Sequence, residues 1–130
     1  MELGLKGKIA IVSGASRGIG KAVAFGLAEE GASLAICSRT IEDLENTSEE
    51  IRSKTGREVF SKVCNITRSE EIHEFTSEVL NHYHKIDILV NNGGGPPQGT
   101  FSELPEVDWT KAIDLNLLSF INFSREVIPP

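Results

Sequence analysis

Eight residues near the start of the chain, Ser13-Gly14-Ala15-Ser16-Arg17-Gly18-Ile19-Gly20, have the composition of a phosphate cradle. Glycines at these intervals permit a tight turn, let a diphosphate approach the backbone and allow a helix to pack closely on what precedes it. The unpaired N–H groups of a helix that opens there would face the anion. Gly14, Ser16, Gly18, Ile19 and Gly20 are therefore candidate contacts, the alternative being a turn that serves only to reverse the chain. Two arginines, Arg17 in the turn and Arg39 after Ser38, add donors suited to phosphate, or are simply solvated loop charges. The histidines offer less. His82 and His84 stand two apart on a predicted helix and point in different directions, and His73 is too distant to complete a ligand set, so no metal site is expected.

These residues must be positioned by regular elements, and short apolar runs alternate with longer helical patterns. Residues 8–13, 33–38, 58–64 and 87–91 read as strands, three of them apolar nearly throughout, as in a parallel sheet covered on both faces. Between them Ile19, Val23 and Leu27, then Ile41, Leu44 and Ile51, then Ile72, Phe75, Val79 and Tyr83 recur at helical spacing, each set predicting a sheet-facing stripe. Gly31 and Gly56 suit helix C-termini, Thr67 with Glu70 has capping-box spacing, and Pro105 suits the opening of a fourth helix. The order β-α-β-α-β-α-β-α implies an α/β, doubly wound parallel sheet with right-handed crossovers. Residues 1–130 are expected to form a single nucleotide-binding domain, with no linker, repeat or low-complexity tract to mark a second.

The spacing Gly-x-x-x-Gly-x-Gly differs from the general dinucleotide fingerprint and resembles that of the short-chain dehydrogenase/reductase family. Asn91-Asn92-Gly93-Gly94 stands where that family has Asn-Asn-Ala-Gly, and Asn116 falls at its catalytic-helix asparagine. The resemblance covers nearly the whole chain and is greatest to the 3-oxoacyl-carrier-protein-reductase-like branch. It implies a Rossmann-type sheet of strand order 3-2-1-4 here, and hydride transfer between a nicotinamide and a small carbonyl or alcohol substrate. Asn92, Gly93 and Gly94 would lie near the nicotinamide. Asn65, in place of the family's aspartate, would accept from the adenine amino group beside Ile66. Gly93, in place of alanine, would add backbone freedom. Residues 93–97, three glycines and Pro96-Pro97, would line the substrate entrance. At the end of the second strand an acidic residue would bind a ribose 2′-hydroxyl and repel a 2′-phosphate; Ser38-Arg39 favours NADP, with NAD as the alternative. In the family the asparagine holds a water in a proton relay to a lysine beside a catalytic tyrosine. Asn116 has that role by resemblance, or else satisfies the backbone of a bent helix. No Tyr-x-x-x-Lys occurs in residues 1–130, and the single tyrosine, Tyr83, reads as a packed helix residue. The expectation is a chain lacking the family's catalytic C-terminal half and inactive alone. The other readings are a non-catalytic nucleotide-binding or assembly module, or a product without function.

Composition narrows the partners. The hydrophobic fraction of 39% and charged fraction of 25% are those of a water-soluble globular protein. A net charge of −6 argues against unspecific nucleic-acid binding. No apolar run reaches the roughly 20 residues of a membrane span, and no signal-peptide core is seen, so a cytoplasmic location is expected. Cys37 and Cys64 lie in apolar stretches and read as buried reduced thiols, with a redox or metal role as the alternative. Trp109, Ile113, Leu117 and Phe120 make one stripe, while Leu115, Leu118, Ile121 and Phe123 spread apolar groups around the same helix. Such a helix needs cover on several sides. In the family its counterpart packs against another subunit, so a homo-oligomer through residues 109–127 is expected.

Overall fold

The structure, a computed structural model, describes residues 2–94 and 98–128. Strands β1 (Ile9–Ser13), β2 (Ser33–Ser38), β3 (Val59–Val63) and β4 (Ile88–Val90) alternate with α1 (Gly18–Glu29), α2 (Ile41–Thr55) and α3 (Ser69–Tyr83). After β4 come α4 (Glu106–Ile113) and α5 (Ser119–Val127), joined by a π-helical turn, Asp114–Leu118. The sheet is parallel, ordered β3-β2-β1-β4, with Ser13 beside Cys37 and Val12 beside both Ile36 and Val90. Successive side chains in a strand point to opposite faces. Ala10, Val12, Leu34 and Ile36 accordingly pack against Ala24 and Ala28 of α1 and Leu44 and Ile51 of α2. Ile11, Ala35 and Cys37 pack on the other face against Ile72, Phe75 and Val79 of α3 and Phe123 of α5. Two buried faces are why these strands read as continuous apolar runs.

Several local expectations are corrected. Lys8, Glu58, Cys64, Asp87 and Asn91 lie just outside the strands. The sheet-facing stripe of α1 is Gly20, Ala24 and Ala28, whereas Ile19 is 77% exposed. Small residues are needed there because α1 starts almost in contact with the turn that precedes it. Ile41 is likewise exposed; Leu44, Thr47, Ser48 and Ile51 face the core of α2. The Thr67–Glu70 capping box does not form. Arg68 occupies the N-cap of α3 without a side-chain bond, while the Thr67 hydroxyl donates to Asn65 Oδ1 at 2.6 Å and Glu71 accepts from the Asn65 N–H at 3.0 Å. The carboxylate thus tethers the strand end rather than the helix start. Gly56 does end α2 in the left-handed conformation, at φ 70°.

At the lower edge of the sheet the Ile9 N–H donates to Asp87 Oδ2 at 2.8 Å, with Lys85 Nζ 3.1 Å from the same oxygen. The backbone donor, followed by the ammonium, holds the Asp87 carboxyl below its ordinary value. A depressed folded-state pKa gives stability that is present above the unfolded value and lost as pH falls through the folded one. Asp87→Asn should therefore show a smaller loss of urea midpoint than wild type between pH 7 and the acid side of the carboxylate range. Identical pH slopes would mean that Asp87 contributes nothing to acid sensitivity.

Candidate functional site

The carboxyl ends of the four strands open into a cavity of about 530 Å³. Its floor is the β1–α1 turn, contributing Gly14, Ser16, Arg17, Gly18 and Ile19. Gly14 and Gly18 have φ of 59° and 61°, in the left-handed region that favours glycine. A Cβ on Gly18 would meet nothing within 4 Å, so this residue leaves open space on the cavity side. Arg17, in extended backbone, is the N-cap of α1, and no acidic side chain occupies the helix's first turn. The positive end of the helix dipole is therefore uncompensated where the cavity meets it.

The other walls come from strand ends. Ser38, Arg39 and Thr40 follow β2; Cys64 and Ile66 follow β3; Asn92, Gly93 and Gly94 follow β4, with Leu115 from the π turn. Among the described residues, the side chains of Arg17 and Arg39 make no hydrogen bond or ion pair, so both guanidinium groups retain free donors. Lys21 is directed elsewhere, with its ammonium 2.9 Å from Glu50. That contact and Lys54 hold the Glu50 carboxyl below its usual value.

The turn is braced from below. Buried Ser13 Oγ accepts the Asn92 N–H and donates to the Asn92 carbonyl, both at 2.9 Å, and Asn92 Nδ2 donates to the Gly14 carbonyl at 3.1 Å. Gly20 lies under the turn rather than on the cavity wall: a Cβ there would stand 2.1 Å from the Gly14 carbonyl oxygen. Cys37 packs behind Cys64. The neighbouring thiol, then burial, pushes the Cys37 pKa well up, keeping it protonated.

Of the expected site residues, Asn65 and Asn116, like Gly20, lie outside the cavity lining, whereas Gly93 is part of it. Asn65 does not line the cavity, and its amide oxygen accepts both the N–H and the hydroxyl of Thr67 at 3.0 and 2.6 Å. With both lone pairs engaged it is poorly placed to accept from an adenine. Gly93 has no left-handed φ; instead of backbone freedom it supplies room, since a Cβ would lie 2.6 Å from Asn116 Oδ1 and 2.8 Å from the Leu115 carbonyl. Asn116 sits in the π turn beside that glycine. Its Nδ2 donates to the Ala112 carbonyl at 3.3 Å, while the Ser119 N–H bonds to the Asp114 carbonyl and the Ser119 hydroxyl takes the Leu115 carbonyl. Widening the helix displaces carbonyls from the ordinary ladder, and side chains on the same turn meet them. Residues 95–97 of the expected entrance loop lie outside the described residues.

Sequence reasoning did not select Thr40, Cys64 or Leu115 for the cavity, nor Ser13 for its support. Thr40 could have been found from its place after Arg39; the others depend on contacts between distant segments. Tyr83 lies at the opposite end of the sheet. Its hydroxyl donates to the Leu34 carbonyl at 2.7 Å, and burial, with the Glu58 charge, pushes its pKa upward. His73 and His82 pair with Glu126 and Glu58. Among the described residues no three His, Cys, Asp or Glu side chains gather where they could hold a metal ion, and no helix is long and apolar enough to cross a membrane.

The arrangement has counterparts in known proteins. An uncharacterized oxidoreductase from Listeria monocytogenes is 35% identical over 125 residues, a match covering 96% of this chain and 50% of that protein. The 3-oxoacyl-acyl-carrier-protein reductase of Staphylococcus epidermidis is 37% identical over 123 residues, covering 94% and 50%. Among solved structures, L-sorbose reductase from Gluconobacter frateurii, complexed with NADPH and L-sorbose, superposes with a TM-score of 0.94 at 29% identity, over 99% of this chain and 49% of that one. NAD⁺-bound xylitol dehydrogenase superposes at 0.90 and 31% identity, over 95% and 47%. The chain thus spans about half the length of the relatives it matches. The sequence profile of the short chain dehydrogenases extends over residues 8–130, and with the parallel 3-2-1-4 sheet and the glycine-rich turn at its switch point, this chain belongs to the short chain dehydrogenase family.

Proposed function

We propose that the cavity binds NADP(H), and that residues 1–130 are the cofactor-binding portion of a carbonyl reductase or alcohol dehydrogenase of the 3-oxoacyl-reductase-like kind. The observation that carries this reading is the pair of guanidinium groups, Arg17 and Arg39, unpartnered among the described residues and flanking a cavity whose floor is an uncompensated helix N-terminus. Open space beside Gly18 fits a diphosphate against the backbone. Arg39, at the place where an acidic residue would select a free ribose hydroxyl, fits a 2′-phosphate, so NADP is favoured and NAD is the alternative. Ile66 and Cys64 offer apolar flanks for a planar base.

When bound, the nicotinamide supplies or accepts the hydride. The chain's own residues do the positioning. The turn backbone orients the anion, Asn92 locks the β4 end to the turn, and Gly93 admits Asn116 to the reacting end. Asn116 would hold a relay proton path in a longer enzyme; a general acid for the substrate oxygen is not supplied by residues 1–130, whose one tyrosine is committed to Leu34.

NADPH and NADH titrations into wild type and Arg39→Ala test the assignment. Losing a charge-assisted contact costs about 1.5–3 kcal/mol, so the variant should bind NADPH roughly 10- to 150-fold more weakly with NADH little changed. Equal NADPH affinity would remove Arg39 from the site.

A role in assembly is supported by a separate observation. Trp109, Ile113, Leu117 and Ile121 form a ridge along α4, the π turn and α5, and each is 41–55% exposed. A contiguous apolar ridge of this kind favours association, here as a homo-oligomer. Light scattering across a concentration series should show self-association that Leu117→Glu reduces. A monodisperse wild-type monomer at all concentrations would reject it.

A further inference from the structure

Helix α2 carries two buried hydroxyls on its core face, and they are used differently. Ser48 donates to the Leu44 carbonyl one turn back in its own helix, at 2.9 Å. Thr47, 1% exposed, instead reaches out of the helix to the Ser16 carbonyl in the glycine-rich turn, at 3.1 Å. A threonine hydroxyl can ordinarily satisfy itself on the carbonyl four residues earlier. This one spans 31 positions of sequence to a loop carbonyl.

The geometry of a peptide gives that bond a consequence. Among the described residues there is no cis peptide bond, and in a planar trans peptide the C=O and N–H point in opposite directions. Fixing the Ser16 carbonyl toward α2 therefore directs the Arg17 N–H away from α2. Arg17 lines the cavity, and among the described residues its N–H has no acceptor. A second link between the two helices is the surface ion pair of Lys21 with Glu50, at 2.9 Å. The N–H thus faces away from α2 before any ligand arrives.

We propose that Thr47 is a positioning residue for diphosphate recognition: by holding the Ser16 carbonyl it sets the Arg17 N–H toward the cavity as a preorganised anion donor. This inference rests on the nucleotide reading above and goes beyond it, because Thr47 lies outside the cavity and acts only through the Ser16–Arg17 peptide. A peptide free to rotate would present either dipole end to the ligand. Preorganisation removes that cost from binding.

The test separates the diphosphate from the rest of the nucleotide. NADPH, which has a diphosphate, and adenosine 2′-phosphate, which has none, are titrated into the 130-residue chain as wild type, Thr47→Val and Thr47→Ser. Valine keeps the shape and removes the donor; serine restores the donor. Thr47→Val should weaken NADPH by about tenfold, the scale of one hydrogen bond, leave adenosine 2′-phosphate unchanged, and be rescued by Thr47→Ser. Wild-type affinity for NADPH in Thr47→Val, or equal weakening of both ligands, would overturn the proposal. If the valine variant does not fold, the wild-type amide spectrum decides: the Arg17 N–H resonance should move downfield on titration with inorganic pyrophosphate, and an unmoved resonance overturns it. A wild-type chain that binds neither nucleotide refutes the nucleotide reading itself, a result distinct from a binding chain indifferent to Thr47.

Discussion

Gly20→Ala is expected to destabilise the chain by at least about 3 kcal/mol, the upper end of ordinary overpacking. The new Cβ would stand 2.1 Å from the Gly14 carbonyl oxygen, 2.6 Å from Asn92 Nδ2 and 2.9 Å from the Gly14 carbonyl carbon. Two of these are backbone atoms that cannot rotate aside. Gly14 is itself held by the Asn92 side chain, and Asn92 by Ser13. Relief would require α1 to move off β1, which would open the buried contacts of Ala24 and Ala28. Against the 5–15 kcal/mol that holds a typical domain folded, such a loss is large. Two other glycines calibrate the result. Gly26, on the exposed side of α1 with nothing within 4 Å, should give an alanine variant stabilised by about 0.5–1 kcal/mol. Gly18→Ala has the same open space but a φ of 61°, so it should cost only the left-handed strain of roughly 1–2 kcal/mol. Urea unfolding of the three variants provides the check. A Gly20→Ala protein as stable as wild type would mean that α1 does not approach the turn as closely as described.

The second large effect concerns turnover. Residues 1–130 alone should consume no NADPH in the presence of ketones or 3-oxoacyl thioesters, because hydride arrival at a carbonyl carbon leaves negative charge on oxygen and no general acid stands among the described residues of the cavity to meet it. General-acid catalysis contributes roughly 10²- to 10⁴-fold. Tyr83 cannot substitute: its hydroxyl is bound to Leu34 at the opposite end of the sheet, and its pKa is raised by burial. The positive control is the same chain continued by the second half of a full-length relative. Substantial turnover by residues 1–130, abolished by Asn116→Ala, would require an acid other than any identified above. Nucleotide binding without turnover is the expected combination, and the titrations proposed for Arg39 and Thr47 measure its first part independently of its second.

The sequence by itself determined the order of elements, the parallel sheet and the place of the glycine-rich turn. Those follow from local properties. Strands buried on both faces must be apolar throughout, helices facing a sheet must repeat at helical spacing, and a turn carrying Gly14 and Gly18 announces backbone that other residues adopt only with strain. Arg39 could likewise be read from its position at a strand end. What only the tertiary structure decided was rotation and pairing. The stripe of α1 moved from Ile19 to Gly20 because the distance between helix and turn, a property of two segments together, admits no side chain there. Asn65 turned from the cavity because Thr67 and Glu71 were nearer partners. Gly93 gained its meaning from Asn116, 23 positions later in sequence and in contact only after β4 and the π turn are packed. Thr47 did so from Ser16. Periodicity records which face of an element is apolar; it carries no information on how closely two elements approach, and that closeness selects the small residues and the hydrogen-bond partners that shape this site.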